Sequence, residues 1–183
     1  MLANLITLAR IVLVPFVLWV VFAEPDRQSA WRWLAVLFFV LSAATDGVDG
    51  AIARKRGEVT NLGKILDPIA DKVLTGGALI GLSLIGELPW WVTILILVRE
   101  VGITIFRIAV LSKRVIPASR GGKLKTIFQF LAITSALLPL QELWGEWMIG
   151  VNIALMTIAF VLTIATGVAY LVEAWLHNRP GRK

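Results

Sequence analysis

Long apolar runs alternate along this chain with short stretches where charge, proline, glycine and tryptophan collect. Six of the runs approach the ~20 residues a helix needs to cross a bilayer. They predict spans at roughly Leu5–Phe22, Trp31–Arg54, Gly63–Gly86, Pro89–Leu111, Leu124–Leu140 and Met148–Leu176. Pro15 should kink the first span, because proline removes a helical hydrogen bond. Pro68 is tolerable in the first turn and a half of the third span and otherwise kinks it. One set of connections, EPDRQS, GELPWW and QELWGEW, lies beside the tryptophans Trp31, Trp33, Trp90, Trp91, Trp144 and Trp147, which suit a membrane–water interface. The other set is RKRGEVTNLG, SKRVIPASRGGK and the polar tail HNRPGRK. The first run has some features of a signal peptide, with Val-Phe-Ala before Glu24. Since Arg10 is the only positive charge ahead of its apolar part, a retained span is the expectation. The expected fold is therefore an all-α integral membrane protein of about six transmembrane helices, with residues 1–183 forming a single domain.

Composition agrees. Of the 183 residues, 58% are hydrophobic and mean hydropathy is +0.83, whereas a soluble domain would be nearer half apolar. With no cysteine, disulfides, thiolate metal sites and thiol nucleophiles are excluded. The net charge of +6 is unevenly spread. Glu24, Asp26, Glu87, Glu142 and Glu146 belong to the tryptophan-flanked loops, where Arg27 and Arg32 are the only basic residues expected. Basic residues fill 54–56, 113–114, 120–125 and 179–183. By the positive-inside rule those loops and both termini face the cytoplasm. Nucleic acid is a poor partner for this charge, because no soluble basic domain carries it. Anionic lipid headgroups or an anionic substrate fit better.

Asp46, Asp49, Asp67 and Asp71 stand in or beside apolar sequence around the RKRGEVTNLG turn. Spacings of three and four put each pair on one face of a helix. A short turn makes the two helices antiparallel neighbours, so the four carboxylates would converge near it. Like charges so close raise one another's pKa, and burial adds to the effect. Divalent metal is the simplest remedy. The ligands are all hard oxygens, which favours Mg²⁺, Mn²⁺ or Ca²⁺ over Zn²⁺. Four carboxylates suit a two-metal site, whose usual chemistry is displacement at phosphorus.

The pattern D-x2-D-G-x2-A-R-x8-G-x3-D-x3-D is met without departure by Asp46, Asp49, Gly50, Ala53, Arg54, Gly63, Asp67 and Asp71. In this the chain resembles the CDP-alcohol phosphotransferases. The resemblance implies transfer of a phosphatidyl or related group from a CDP-linked donor to an alcohol, with release of CMP. It implies two divalent ions, Mg²⁺ or Mn²⁺, with Asp46 and Asp67 touching both, Asp49 one and Asp71 the other. It also implies that Asp71 takes the proton from the attacking alcohol, that Thr60 contacts the nucleotide, and that Asn4 and Thr7 form an N-terminal nucleotide contact. The residues themselves agree with a pyrophosphate-bearing donor such as CDP-diacylglycerol. Arg54 offers a planar fork of donors to phosphate oxygens, and Gly50 and Ala53 leave room for a nucleotide. A site at the membrane edge lets acyl chains stay in the bilayer, where each exposed CH₂ would otherwise cost ~0.8 kcal/mol.

NLITLAR, LGKILDPIADK, REVGITIFR and the GGKLKT stretch resemble, over residues 1 to 140, the branch of that family that forms phosphatidylglycerophosphate. That branch uses CDP-diacylglycerol and sn-glycerol 3-phosphate, in the bacterial cell membrane. A phosphorylated acceptor needs cations near the metals. Arg107, Lys123 and Lys125 are candidates, and Arg99 a more distant one. Gly121-Gly122 ahead of Lys123 and Lys125 suits an anion at a helix start, although the same lysines could be a positive-inside anchor. Arg99 and Glu100 lie deep enough that they must face protein or water, either as an internal pair that joins helices or as part of the site. Inositol phosphate would need the same positive charge, and an acceptor such as serine or phosphatidylglycerol would make a sister transferase. An ion-coupled transporter would explain intramembrane acids but not the fixed Gly, Ala and Arg. Gly77 and Gly81 form a G-x3-G, a pointer to helix contact or dimerisation, and the resemblance implies a homodimer.

Overall fold

The computed structural model describes residues 30–56, 61–110 and 120–177, together with residues 11, 12, 14, 15 and 19. Within it the side chains of 46–56, 61–67, 107–110, 120 and 177 lie outside the description. Among the described residues the secondary structure is entirely helical. The helices are α1 (Ala30–Arg56), α2 (Asn61–Leu84), α3 (Trp90–Val110), α4 (Arg120–Leu137), α5 (Leu140–Trp144) and α6 (Trp147–His177). Most of the first predicted span lies outside the described residues. The few positions described there are helical, and Val14 is buried in the common core.

Four of the predicted spans therefore appear as α1, α2, α3 and α6, each within two residues of the expected ends. The fifth starts four residues earlier than expected and stops at Leu137. Gly121, Gly122 and Lys123 thus form its first turn rather than a loop before it. QELWGEW is not a plain turn. Leu140–Trp144 forms one helical turn, and Gly145 at φ 96° separates it from α6. Pro68 lies well inside α2, beyond the first turn and a half, and the helix continues past it.

A glycine shapes the α2–α3 turn. Gly86 has φ 78°, a conformation that is costly for residues with a Cβ. The Glu87 amide donates to the Leu82 carbonyl at 2.9 Å and the Gly86 amide to Ser83 at 3.2 Å. This is a Schellman closure, which satisfies carbonyls that the helix end would leave unpaired.

The core joins α1, α2, α3, α4 and α6. Phe39, Leu79, Leu82, Ile96, Ala132, Ile133 and Ala159 are buried in it. Phe39 stacks on Phe130 at 5.5 Å, linking α1 to α4, and Trp91 meets Phe160 edge-on at 5.5 Å, linking α3 to α6. Several polar side chains inside this core pair across helices, as burial favours. Ser83 and Thr93 share a 2.7 Å hydroxyl contact between α2 and α3, and Ser135 donates to Asn152 at 2.5 Å between α4 and α6. The small stripe on α2 makes close approach possible: a Cβ on Gly76 would lie 2.9 Å from Leu97 Cδ2. Gly77 and Gly81 are also buried.

Arg32 departs from expectation. It is not a cation of an outer loop but a buried residue of α1. Its guanidinium donates to Glu87 Oε2 at 2.5 Å and to the Leu137 carbonyl at 3.0 Å. One side chain thus ties the start of α1 to the α2–α3 turn and to the end of α4. It also sets the register of α1 against α2.

Among the described residues one helix, Trp147–Leu176, is both long and apolar enough to cross a membrane by length and composition. In α3, Arg99, Glu100 and Arg107 interrupt the apolar sequence. Many large apolar side chains point outward, among them Ile94, Val98, Val101 and Ile105 of α3 and Ile153, Val161, Val168 and Val172 of α6.

Candidate metal and phosphate site

The predicted acids fall on two helices that pack against each other, Asp46 and Asp49 on α1, Asp67 and Asp71 on α2. The Arg32–Glu87 pair allows their heights to be compared. At 1.5 Å per residue, positions 46 and 49 lie ~21 and ~26 Å along α1 from Arg32. By the same rise, positions 71 and 67 lie ~20 and ~26 Å along α2 from Leu84. Because the helices run antiparallel, both pairs lie toward the same end of α1 and α2, away from the Arg32–Glu87 contact. The four-residue gap between Arg56 and Asn61 keeps that end of the pair together.

Of the four acids, only Asp71 has a described side chain. Its carboxylate is 41% exposed, with Lys72 Nζ 3.1 Å from Oδ2. Among the described residues no three acids or histidines form a metal-binding group. The donor chemistry nevertheless fits a hard divalent ion: four aspartates in sequence toward one end of α1 and α2, of which Asp71 is open on one side. Gly50, Ala53 and Arg54 lie in the last two turns of α1 and Arg107 near the end of α3, with side chains outside the description. Thr60, Asn4 and Thr7 lie outside the described residues.

Beside Asp71 the structure assembles a charged cluster from four helices. Lys72 of α2 reaches from Asp71 to Glu100 Oε2 on α3. Glu100 is buried. Its Oε1 accepts from Arg99 Nη1 at 2.7 Å and lies 2.5 Å from Lys125 Nζ of α4. Arg99 also donates to Thr166 Oγ1 of α6 at 2.8 Å. Gly167 gives that guanidinium its path, since a Cβ there would lie 2.9 Å from Arg99 Nε and 3.0 Å from Cγ. Arg99 Nε is buried without a hydrogen-bond partner among the described residues.

The acceptor candidates therefore separate. Arg99 and Lys125 are brought together on Glu100, Lys125 being almost fully buried. Lys123 is exposed on the first turn of α4. The Arg99–Glu100 pairing anticipated from sequence is present, but as part of a larger cluster. Lys72, Thr166 and Gly167 were not among the expected site residues. A sequence signal existed for Lys72 alone: a lysine inside an apolar helix directly after an aspartate needs an acidic partner, and Glu100 is the acid within the fourth span. Nothing in the apolar sequence of α6 marks Thr166 or Gly167.

The geometry offers hard-oxygen ligands beside fixed cations, an arrangement suited to phosphorylated ligands. Comparison with known proteins gives the same direction. A Mycobacterium tuberculosis protein named "Probable phosphatidylglycerophosphate synthase" is 48% identical over 173 residues, covering 94% of this chain and 81% of that one. The "CDP-diacylglycerol--glycerol-3-phosphate 3-phosphatidyltransferase" of Bacillus subtilis is 35% identical, covering 95% of each chain. Its namesake in Rickettsia typhi is 38% identical, covering 92% of this chain and 94% of that one. The family model for CDP-alcohol phosphatidyltransferase matches residues 1–168, a range that holds every acid, cation and small residue of the site just described, and the chain belongs to that family.

Proposed function

We propose that this chain transfers the phosphatidyl group of CDP-diacylglycerol to sn-glycerol 3-phosphate, giving phosphatidylglycerophosphate and CMP. The observation that carries the reading is the cationic cluster that begins at Asp71's neighbour Lys72, beside the end of α1 and α2 that carries the four aspartates. The names of the relatives support the choice of substrates.

Asp46, Asp49, Asp67 and Asp71 would hold two divalent ions, Mg²⁺ or Mn²⁺. When bound, these would neutralise the donor pyrophosphate and stabilise the departing CMP. Arg54 donates to phosphate oxygens, while Gly50 and Ala53 leave space for the nucleotide. Thr60, Asn4 and Thr7 contact the nucleotide. Asp71 accepts the proton of the acceptor hydroxyl, and that oxygen bonds to the diacylglycerol-linked phosphorus as the pyrophosphate bond breaks and CMP leaves. Arg107, Lys123, Lys125 and Arg99 supply the positive charge that a phosphorylated acceptor requires.

The same reading makes residues 1–183 a single domain with about six membrane spans. It puts the site and both termini on the cytoplasmic side of a bacterial cell membrane, and two copies form a homodimer. The outward apolar side chains of α3 and α6 support a lipid environment, because a soluble surface rarely carries so large an apolar patch.

The test is turnover by the purified chain with CDP-diacylglycerol and Mg²⁺ or Mn²⁺, each acceptor being supplied separately. CMP release with glycerol 3-phosphate is the expected result. Consumption of inositol phosphate, serine or phosphatidylglycerol instead would move the chain to a sister activity, and no CMP release with any acceptor would remove the transferase reading.

A further inference from the structure

Glu100 has no part in the reaction as written above, yet three cations converge on its carboxylate. Both oxygens are engaged, Oε1 by Arg99 and Lys125 and Oε2 by Lys72. The cations come from α2, α3 and α4, and Arg99 is tied in addition to α6 through Thr166. A salt bridge that only joined helices would need one cation. Among the described residues one carboxylate faces three cations, and Asp71 offsets Lys72, leaving one surplus positive charge in a poorly hydrated place. Cations confined like this repel one another, and a lysine ammonium on its flexible stem would turn away without a fixed anion to hold it.

The geometry points to Glu100 as a positioning residue: it gathers Lys125 and Arg99 so that their surplus charge is fixed for the acceptor's phosphate, and it holds Lys72 beside Asp71. This rests on the phosphorylated acceptor of the proposed function. The cost of concentrating positive charge is then recovered when a phosphate arrives, which explains why the cluster is over-filled with cations.

The experiment uses the full-length chain in detergent, as wild type, Glu100→Gln and Glu100→Asp. Amine labelling read by mass spectrometry needs no substrate. In wild type, buried Lys125 should label far more slowly than exposed Lys123. In Glu100→Gln, its rate should rise about tenfold, as expected when a charge-assisted hydrogen bond is lost. In kinetics, Glu100→Gln should raise the KM for glycerol 3-phosphate about tenfold and leave the KM for CDP-diacylglycerol within about twofold, with Glu100→Asp recovering part of the loss. Unchanged Lys125 labelling, or an unchanged acceptor KM, overturns the inference. If Glu100→Gln is not recovered folded, Glu100→Asp, which withdraws the carboxylate by one methylene, takes its place. It should raise the acceptor KM without moving the donor KM, and no rise overturns the inference. Wild type that fails to use glycerol 3-phosphate refutes the proposed substrate instead, and the labelling comparison still decides the role of Glu100.

Discussion

Asp71 and Lys72 are adjacent in sequence but face different tasks. Asp71 is two-fifths exposed, and Lys72 bridges it to a buried glutamate. As the proton acceptor, Asp71 should be irreplaceable in turnover, while the other three acids still hold the donor in part. Asp71→Asn is expected to lower kcat by about 10³-fold while CDP-diacylglycerol binding, measured directly on the variant, persists. Near-normal turnover would remove Asp71 as the base. Lys123, exposed on the first turn of α4, is free of the packing that constrains Lys125. Lys123→Ala should raise the KM for glycerol 3-phosphate several-fold with little change in kcat, the mark of a group that binds ground and transition states alike. A change confined to the donor KM would reassign it. At this scale the sequence was informative about residue type and less so about surroundings. Four aspartates at fixed spacing announce a metal site, but Lys125 and Lys123, two residues apart, read as equivalent cations. Their different burial depends on which face of α4 turns inward toward Glu100.

Among the helices, two contacts test how the bundle is held. Arg32 is wholly buried, and its partner Glu87 is nearly so. Removing one member strands the other charge, a loss of about 3–5 kcal/mol for a buried pair. Arg32→Met should therefore lower the melting temperature in detergent by many degrees, whereas substitution of exposed Arg or Lys at a helix surface should hardly move it. Gly167→Ala and Gly76→Ala make a second comparison. Each new Cβ meets a side chain at 2.9 Å. Leu97 can withdraw a terminal methyl, but Arg99 would have to move its stem away from Thr166. Gly167→Ala should cost more stability, in the range of about 1–3 kcal/mol for overpacking, and should also raise the acceptor KM. Equal melting temperatures for the two variants would refute the notch. Element positions were legible from hydrophobic runs, because a span of apolar residues between charged turns has few alternatives. The α5 turn, the early start of α4 and the burial of Arg32 were not legible. The burial of Arg32 depends on partners distant in sequence, Leu137 and Glu87.

At the scale of the whole molecule, the proposal joins a metal site, a cation cluster and a lipid-facing exterior. Excess EDTA should abolish activity, and Mg²⁺ or Mn²⁺ should restore it; full activity under chelation would contradict the carboxylate site. Alkaline carbonate should leave the chain with membranes and detergent should release it, whereas release by carbonate would refute spanning helices. Hydropathy, spacing and residue type by themselves determined the helical class and singled out the four acids, because these follow from local periodicity and from the chemistry of the side chains present, while the family came from the resemblance of the signature. Only the tertiary structure decided that Lys72, Arg99 and Lys125 meet on Glu100, and that Gly167 admits Arg99 to Thr166. Such meetings depend on the register and rotation of one helix against another, and these are fixed by packing among residues far apart in the chain.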